Sequence, residues 1–211
     1  MDTQSLFSLA GRTALVTGGS RGIGKMIASG FIAQGAKVYI SSRKADVCEA
    51  VANELGPNCI AVPQDISTVD GCKALAATMA EHESGVDILV NNAGVQIEKT
   101  IIETTDDDWN ALMGVNAKGV FLACRELIPA MLHGGSIINI SSDLGLIGPD
   151  QRLYMNKKIP SELQAVKPVT YSVVKAGLIG LTRYLSTYWA DKNVRSNAMC
   201  PGGIETNQPS E

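Results

Sequence analysis

Short β-branched runs alternate with longer amphipathic or alanine-rich segments along the whole chain, a pattern expected of successive βαβ units around a parallel sheet. The runs predict strands at Thr13–Thr17, Lys37–Ser41, Cys59–Val62, Ile88–Asn91, Ser136–Ser141 and Val194–Met199. Several are almost continuously apolar, as expected of strands covered by helices on both faces. Between them the spacing predicts helices over Ile23–Gln34, Ala45–Leu55, Val69–Glu81, Asp106–Leu132 and Tyr171–Asp191. The expected architecture is a three-layer αβα fold around a doubly wound parallel sheet. With no internal repeat, low-complexity tract or linker, residues 1–211 read as one domain.

Two stretches break the alternation. Gly145–Val169 holds Pro149, Pro160, Pro168 and the Lys157–Lys158 pair, which predicts a long excursion between the fifth strand and the last helix. Loops of this length in a compact domain are usually functional or mobile. Gln151–Lys167, with Arg152, Tyr154, Lys157 and Lys158, is expected either to form a flap that recognises a polar or anionic substrate or to cover a neighbouring surface. The second stretch, Pro201 to Glu211, reads as the start of a loop, so the chain is expected to be truncated at its C-terminus.

Composition narrows the class. A chain of 211 residues, 45% hydrophobic and 18% charged, can bury roughly 70% of its unfolded surface without a covalent or metal staple. Cys48, Cys59, Cys72, Cys124 and Cys200 form no CxxC pair and have only His82 and His133 for company. This argues for reduced thiols and against a metal site. A net charge of −3 argues against nucleic acid as a partner. No apolar run is long enough to span a bilayer, and Met1–Gln4 carries an acid where a secretory signal needs basic residues. The expectation is a cytoplasmic protein with no membrane partner.

The strongest chemical signal follows the first strand. Thr17–Gly24 reads TGGSRGIG and runs directly into a helix. Gly18 and Gly22 allow a tight turn and close approach to a pyrophosphate, and Gly24 lets the helix pack closely on the strand. The helix N-terminus offers free amides and positive potential, so Ser20, Arg21 and Ile23 join the glycines as candidate phosphate contacts. The spacing is GxxxGxG, and in this the chain resembles the short-chain dehydrogenase/reductase family. Asn91-Asn92-Ala93-Gly94, then Asn116, then Tyr171-Ser172-Val173-Val174-Lys175 as YxxxK, then Pro201-Gly202 follow in that family's order. The likeness covers essentially the whole chain.

The resemblance implies a Rossmann-type sheet of strand order 3-2-1-4-5-6 with a nicotinamide dinucleotide across the carboxyl ends of its strands. It places Asn92, Ala93, Gly94, Pro201, Gly202 and Ile204 beside the cofactor, Thr206 at the nicotinamide carboxamide, and Asp65 with Ile66 at the adenine. Asp65 could equally cap the next turn. The resemblance further implies a strand beyond the sixth, which this chain is expected to lack. Cofactor choice rests on the end of the second strand, where an acid would bind the ribose 2′-hydroxyl and repel a 2′-phosphate. Here the chain reads Ser41-Ser42-Arg43-Lys44, and Arg21 adds a guanidinium whose fork suits phosphate. NADP(H) is therefore favoured over NAD(H), with Ser42 and Arg43 as ligands. The alternative is that Arg43 and Lys44 simply lead a solvated helix.

Interconverting an alcohol and a ketone by hydride transfer requires an acid/base at the oxygen. Tyr171 is the candidate. A free phenol has a pKa near 10, so a cation must stabilise its anion, and Lys175, four residues on, shares the same helix face. By resemblance Lys175 also holds the cofactor ribose and Ser142 orients the substrate oxygen. The resemblance also implies that Asn116 interrupts its helix and holds a water leading from Lys175 to solvent. The implied activity is reversible reduction of a small-molecule ketone, with 3-oxoacyl, gluconate-type and sugar-modifying relatives all left open. Two rivals remain: a cofactor-binding regulatory or scaffold protein without turnover, and an epimerase or dehydratase with bound nicotinamide. The helices over Asp106–Leu132 and Tyr171–Asp191 resemble those that pair family members, which implies a homodimer or homotetramer, although their apolar faces could equally be core. Ser142 and Tyr171 lie farther apart than in simple members of the family, and the extra residues fall beside the substrate site.

Overall fold

The computed structural model describes residues 3–131, 133–156, 158, 160 and 164–204. β1 (Thr13–Thr17) and β4 (Ile88–Asn91) are buried at every position. Helices cover both faces there, so neither strand can alternate, and both read as continuous apolar runs. With β2 (Lys37–Ser41), β3 (Cys59–Ala61), β5 (Gly135–Ile140) and β6 (Val194–Met199) they form one parallel sheet of order β3-β2-β1-β4-β5-β6. The order reverses between β1 and β4, so a crevice opens at the carboxyl ends of those two strands.

Alternate residues of each strand feed two cores. Leu15, Tyr39, Leu89 and Ile137 pack under α4 (Val69–His82), α6 (Val120–Leu127) and α7 (Val169–Tyr188). Val16, Val38, Ile40 and Val90 pack on the other face under α2 (Gly22–Ala33) and α3 (Ala45–Leu55). Cys48, Cys59, Cys72 and Cys124 are buried and Cys200 is half-buried, all as free thiols. Burial pushes the thiols of Cys59 and Cys72 up to about 11 and that of Cys124 to about 12, so these three are inert space-fillers at neutral pH. No helix among the described residues is long and apolar enough to cross a membrane.

The expected strands and helices are present, with one substantial correction. Asp106–Leu132 is not one helix. α5 (Asp106–Met113) starts on a capping box between Thr105 and Asp108, a π-helical turn follows over Gly114–Gly119, and α6 then ends in a 3₁₀ turn at Ile128–Ala130. Pro129 lies in that turn and has no N–H to donate to the preceding turn of helix. Leu132 lies outside the described residues. Smaller differences sit at element ends. β3 stops one residue before Val62, although the Val62 amide still donates to Ile40 O (2.9 Å). α7 begins at Val169 behind Pro168 and ends at Tyr188, where a 3₁₀ turn and Asn193 in the left-handed region (φ 57°) lead into β6. A four-residue helix, α1 (Thr3–Leu6), was not expected.

The long excursion after β5 is braced. Gln151 acts as a spare backbone unit: its Nε2 donates to Lys167 O (2.9 Å) and its Oε1 accepts from Lys167 N (3.0 Å). Gln164 pairs in the same way with the main chain of Asn156, at 2.6 and 2.7 Å. The Lys167 ammonium lies 4.8 Å from the Tyr154 ring centroid, and Arg152 pairs with Asp150. Lys157 lies outside the described residues. These contacts oppose the entropy of a long loop.

Candidate active site

The glycine turn is held by side chains from β1 and β4. Thr17 Oγ1 donates to Val90 O (3.2 Å) and accepts from the amides of Asn92 (3.0 Å) and Ala93 (3.2 Å). Asn92 Nδ2 donates to Thr17 O (3.0 Å) and Gly18 O (3.2 Å). Asn92 is thus the strut that binds the loop after β4 to the turn after β1. Gly18 sits at φ 66°, and a Cβ there would stand 2.8 Å from Ala93 Cα. At Gly24 a Cβ would stand 2.3 Å from Gly18 O, the close helix-on-strand packing expected of that position, whereas Gly22 (φ 50°) faces open space. Gly19 is equally constrained, since a Cβ would meet Ile40 at 2.6 Å, and the motif spacing did not single it out. Gly24→Ala is expected to push α2 off β1, costing about 1–3 kcal/mol and weakening binding of a dinucleotide at the turn. Thermal denaturation and a fluorescence titration check both effects.

α2 starts with Arg21 in extended conformation as N-cap, with no side-chain capping bond and no acid in the first turn. Its leading amides are left for an anion. Gly18 N and Gly19 N donate to Ser41 O (2.7 and 3.3 Å), so the turn abuts the end of β2, where Ser42, Arg43 and Lys44 follow. Ser42 Oγ donates to Lys44 O (3.3 Å), and Lys44 is the N-cap of α3 without a side-chain capping bond. Arg21, Arg43 and Lys44 are exposed and form no ion pair with any described residue. Cations at the positive ends of helix dipoles repel them, an arrangement that a polyanion relieves. The residues present therefore fit a dinucleotide with an additional phosphate. Ser20 and Ile23 lie in the turn and first helical turn. Asp65 Oδ1 accepts from Ser67 N (2.9 Å) and Oγ (2.7 Å), so it does cap the next turn. Ile66 is a buried core residue.

Three catalytic candidates meet where β5 and α7 join. Lys175 Nζ donates to Ile140 O (2.7 Å), and Ser141 Oγ donates to Lys175 O (2.7 Å), fastening helix to strand. The Lys175 ammonium lies 5.4 Å from the Tyr171 ring centroid. Burial pushes the Lys175 pKa from 10.5 down to about 8, opposed in part by Cys200. Ser142 is 5% exposed and begins a 3₁₀ turn that packs on α7, where a Cβ at Gly145 would come 2.7 Å from Lys175 C. Asp143 N donates to Pro201 O (3.1 Å), bringing Pro201 and Gly202 alongside. Ile204 is exposed nearby in sequence, and Thr206 lies outside the described residues.

Asn116 does interrupt its helix, in the π turn. Its side chain is engaged at both ends, however, with Oδ1 accepting from Val95 N and Nδ2 donating to Val95 O, each at 2.8 Å. It splints the loop after β4, where a Cβ at Gly94 would stand 3.4 Å from Asn116 Oδ1.

One buried relay was missed from sequence. Asn91 Nδ2 donates to Asn139 Oδ1 (2.8 Å), Asn139 Nδ2 to Thr182 Oγ1 (2.9 Å), and Thr182 Oγ1 to Leu178 O (2.7 Å), tying β4 and β5 to α7 beneath the site. Its signal was an asparagine within each of two largely apolar strands.

Residues 12–155 match the family described as short chain dehydrogenase, and residues 160–211 match the description Enoyl-(Acyl carrier protein) reductase. The chain belongs to the short-chain dehydrogenase family. This short-chain dehydrogenase is 37% identical to Nodulation protein G of Rhizobium sp. (strain N33), over 95% of this chain and 76% of that protein. It is 35% identical to the rhamnolipids biosynthesis 3-oxoacyl-[acyl-carrier-protein] reductase of Pseudomonas aeruginosa, over 93% and 74% respectively. A solved structure described as the Pseudomonas aeruginosa RhlG/NADP active-site complex superposes with a TM-score of 0.83 at 34% identity, covering 95% of this chain and 76% of that one. The short-chain dehydrogenase is thus an enzyme, an oxidoreductase with the NAD(P)-binding α/β fold of its family that acts on a small-molecule substrate.

Proposed function

We propose that this chain is an NADP(H)-dependent oxidoreductase that interconverts a secondary alcohol and a ketone, with Tyr171 as the acid/base. The observation that carries the reading is the Lys175 ammonium, anchored on Ile140 O and 5.4 Å from the Tyr171 ring, at the end of the same crevice as the glycine turn. The amides opening α2, with Gly18, Ser20, Gly22, Ile23 and Gly24, hold the pyrophosphate, and Arg21, Ser42 and Arg43 hold the 2′-phosphate. Asp65 and Ile66 flank the adenine, Asn92-Ala93-Gly94 back the central part, and Pro201, Gly202, Ile204 and Thr206 border the nicotinamide end. When bound, the cofactor supplies or accepts the hydride.

The chain's own work is proton transfer and orientation. Tyr171 gives its proton to the forming alkoxide or takes it from the alcohol. Lys175 stabilises the phenolate, and its partial burial strengthens that effect by lowering the local dielectric. Ser142 orients the reacting oxygen, and Asn116 keeps the loop after β4 in place. Support for ketone reduction comes from relatives named 3-oxoacyl-[acyl-carrier-protein] reductase. Support for NADP(H) comes from Arg21 and Arg43, which form no ion pair with any described residue, and from a solved relative described as an NADP complex. Exposed Phe121 on α6 and Val173, Tyr184 and Tyr188 on α7 support pairing through these helices into a homodimer or homotetramer.

Following NADPH absorbance over a panel of ketones tests the reading. Ketone-dependent oxidation with NADPH preferred over NADH is the expected result; none with either cofactor contradicts it. Arg43→Ala is expected to weaken NADPH binding about tenfold or more through loss of a charged hydrogen bond, while NADH binding changes little. No loss for either cofactor would assign Arg43 to the solvated surface.

A further inference from the structure

Beside the candidate serine stands a carboxylate that the proposed chemistry does not use. A hydroxyl has one proton to donate and two lone pairs. Ser142 Oγ sends its proton to Asp143 Oδ1 (2.8 Å) and accepts from Leu144 N (3.2 Å), which also donates to Asp143 Oδ1 (2.8 Å). Toward a substrate, Ser142 is left as an acceptor, which suits an alcohol. To serve a carbonyl oxygen it must turn its proton away from Asp143. The half-buried carboxylate then loses a donor and forms no ion pair with any described residue. Its second oxygen, Oδ2, accepts no hydrogen bond from any described residue and faces Gly202, where a Cβ would come within 3.4 Å. Leaving such a group short of donors is costly.

We infer that Asp143 selects substrates carrying a second hydroxyl on the carbon next to the reacting one, a vicinal diol or α-hydroxy ketone. Ser142 Oγ and the Asp143 carboxylate stand one hydrogen bond apart, as do two hydroxyls on adjacent carbons. The second hydroxyl supplies the donor that Asp143 lacks, and a substrate without it leaves the carboxylate unsatisfied. This inference rests on the dehydrogenase reading above and names its substrate class.

The test compares cyclohexanol with cis-1,2-cyclohexanediol on the full chain, by kcat/KM with NADP⁺ and by binding to the enzyme–NADP⁺ complex. The expected preference for the diol is about tenfold or more. Asp143→Ala should bring the ratio of the two probes to within about threefold of unity, and Asp143→Asn, which keeps an acceptor without the charge, should fall between. No preference, failure to bind either probe, or a preference that survives Asp143→Ala overturns the inference. NADPH titration of the same proteins and the activity of Tyr171→Phe separate the two levels. Loss of NADPH binding in the unsubstituted chain sinks the dehydrogenase reading itself; intact binding without diol selectivity sinks only the role of Asp143.

Discussion

Tyr171→Phe is expected to lower kcat by about 10²–10⁴-fold, the range associated with removing a positioned acid/base. The same protein should fold and bind NADPH as the unsubstituted chain does. The substitution removes one oxygen from a half-buried side chain, and no described residue donates to or accepts from that oxygen. The ring packing that places it 5.4 Å from the Lys175 ammonium survives. The loss therefore falls on proton transfer and not on the scaffold. Steady-state kinetics, a fluorescence titration of NADPH and a melting curve read the three quantities. Activity within about tenfold of the original would remove Tyr171 from the chemistry.

Lys175→Met should also lose most activity, and it carries a second signature in the pH dependence of stability. The Lys175 pKa falls from 10.5 in the unfolded chain to about 8 in the folded one, because burial penalises the charge. Below pH 8 both states hold the proton, and the folded state bears the full penalty. Between pH 8 and 10.5 the unfolded state binds more protons, so stability rises with pH until the unfolded lysine also discharges. The interval corresponds to roughly 3 kcal/mol at most. The chain should gain up to that amount across the window relative to Lys175→Met, whose side chain does not titrate. Denaturant unfolding of both proteins at several pH values checks it, and parallel curves would show that the ammonium bears no such burial penalty. A destabilising charge retained beside Tyr171 is the trade expected where function and stability compete.

Much of the fold was legible because the central strands are covered on both faces. Val16, Leu89 and Ile137 have no exposed alternates to confuse their runs, and the glycine turn sits between a strand and a helix where its geometry demands it. The π turn at Gly114–Gly119 was not legible. The apolar residues of α5 and α6 continue through it, and its cause is tertiary: Asn116 reaches across to the main chain of Val95. The braces at Gln151 and Gln164 were hidden for the same reason, since an amide that pairs with backbone far along the chain leaves no local period. Within the site, Tyr171 and Lys175 could be read from their four-residue spacing. Asn92 was read only as a neighbour of the cofactor, because its amide on Thr17 O and Gly18 O shows only in the folded turn. Asp143 passed unnoticed because only the folded turn shows that it accepts the proton of Ser142.

The most direct measurement is a crystal structure of the chain with NADPH bound. The pyrophosphate is expected on the amides of Gly22, Ile23 and Gly24, the 2′-phosphate between Arg21 and Arg43, and the nicotinamide beside Tyr171 and Lys175. A dinucleotide bound elsewhere, or one whose nicotinamide points away from Tyr171, would contradict that placement.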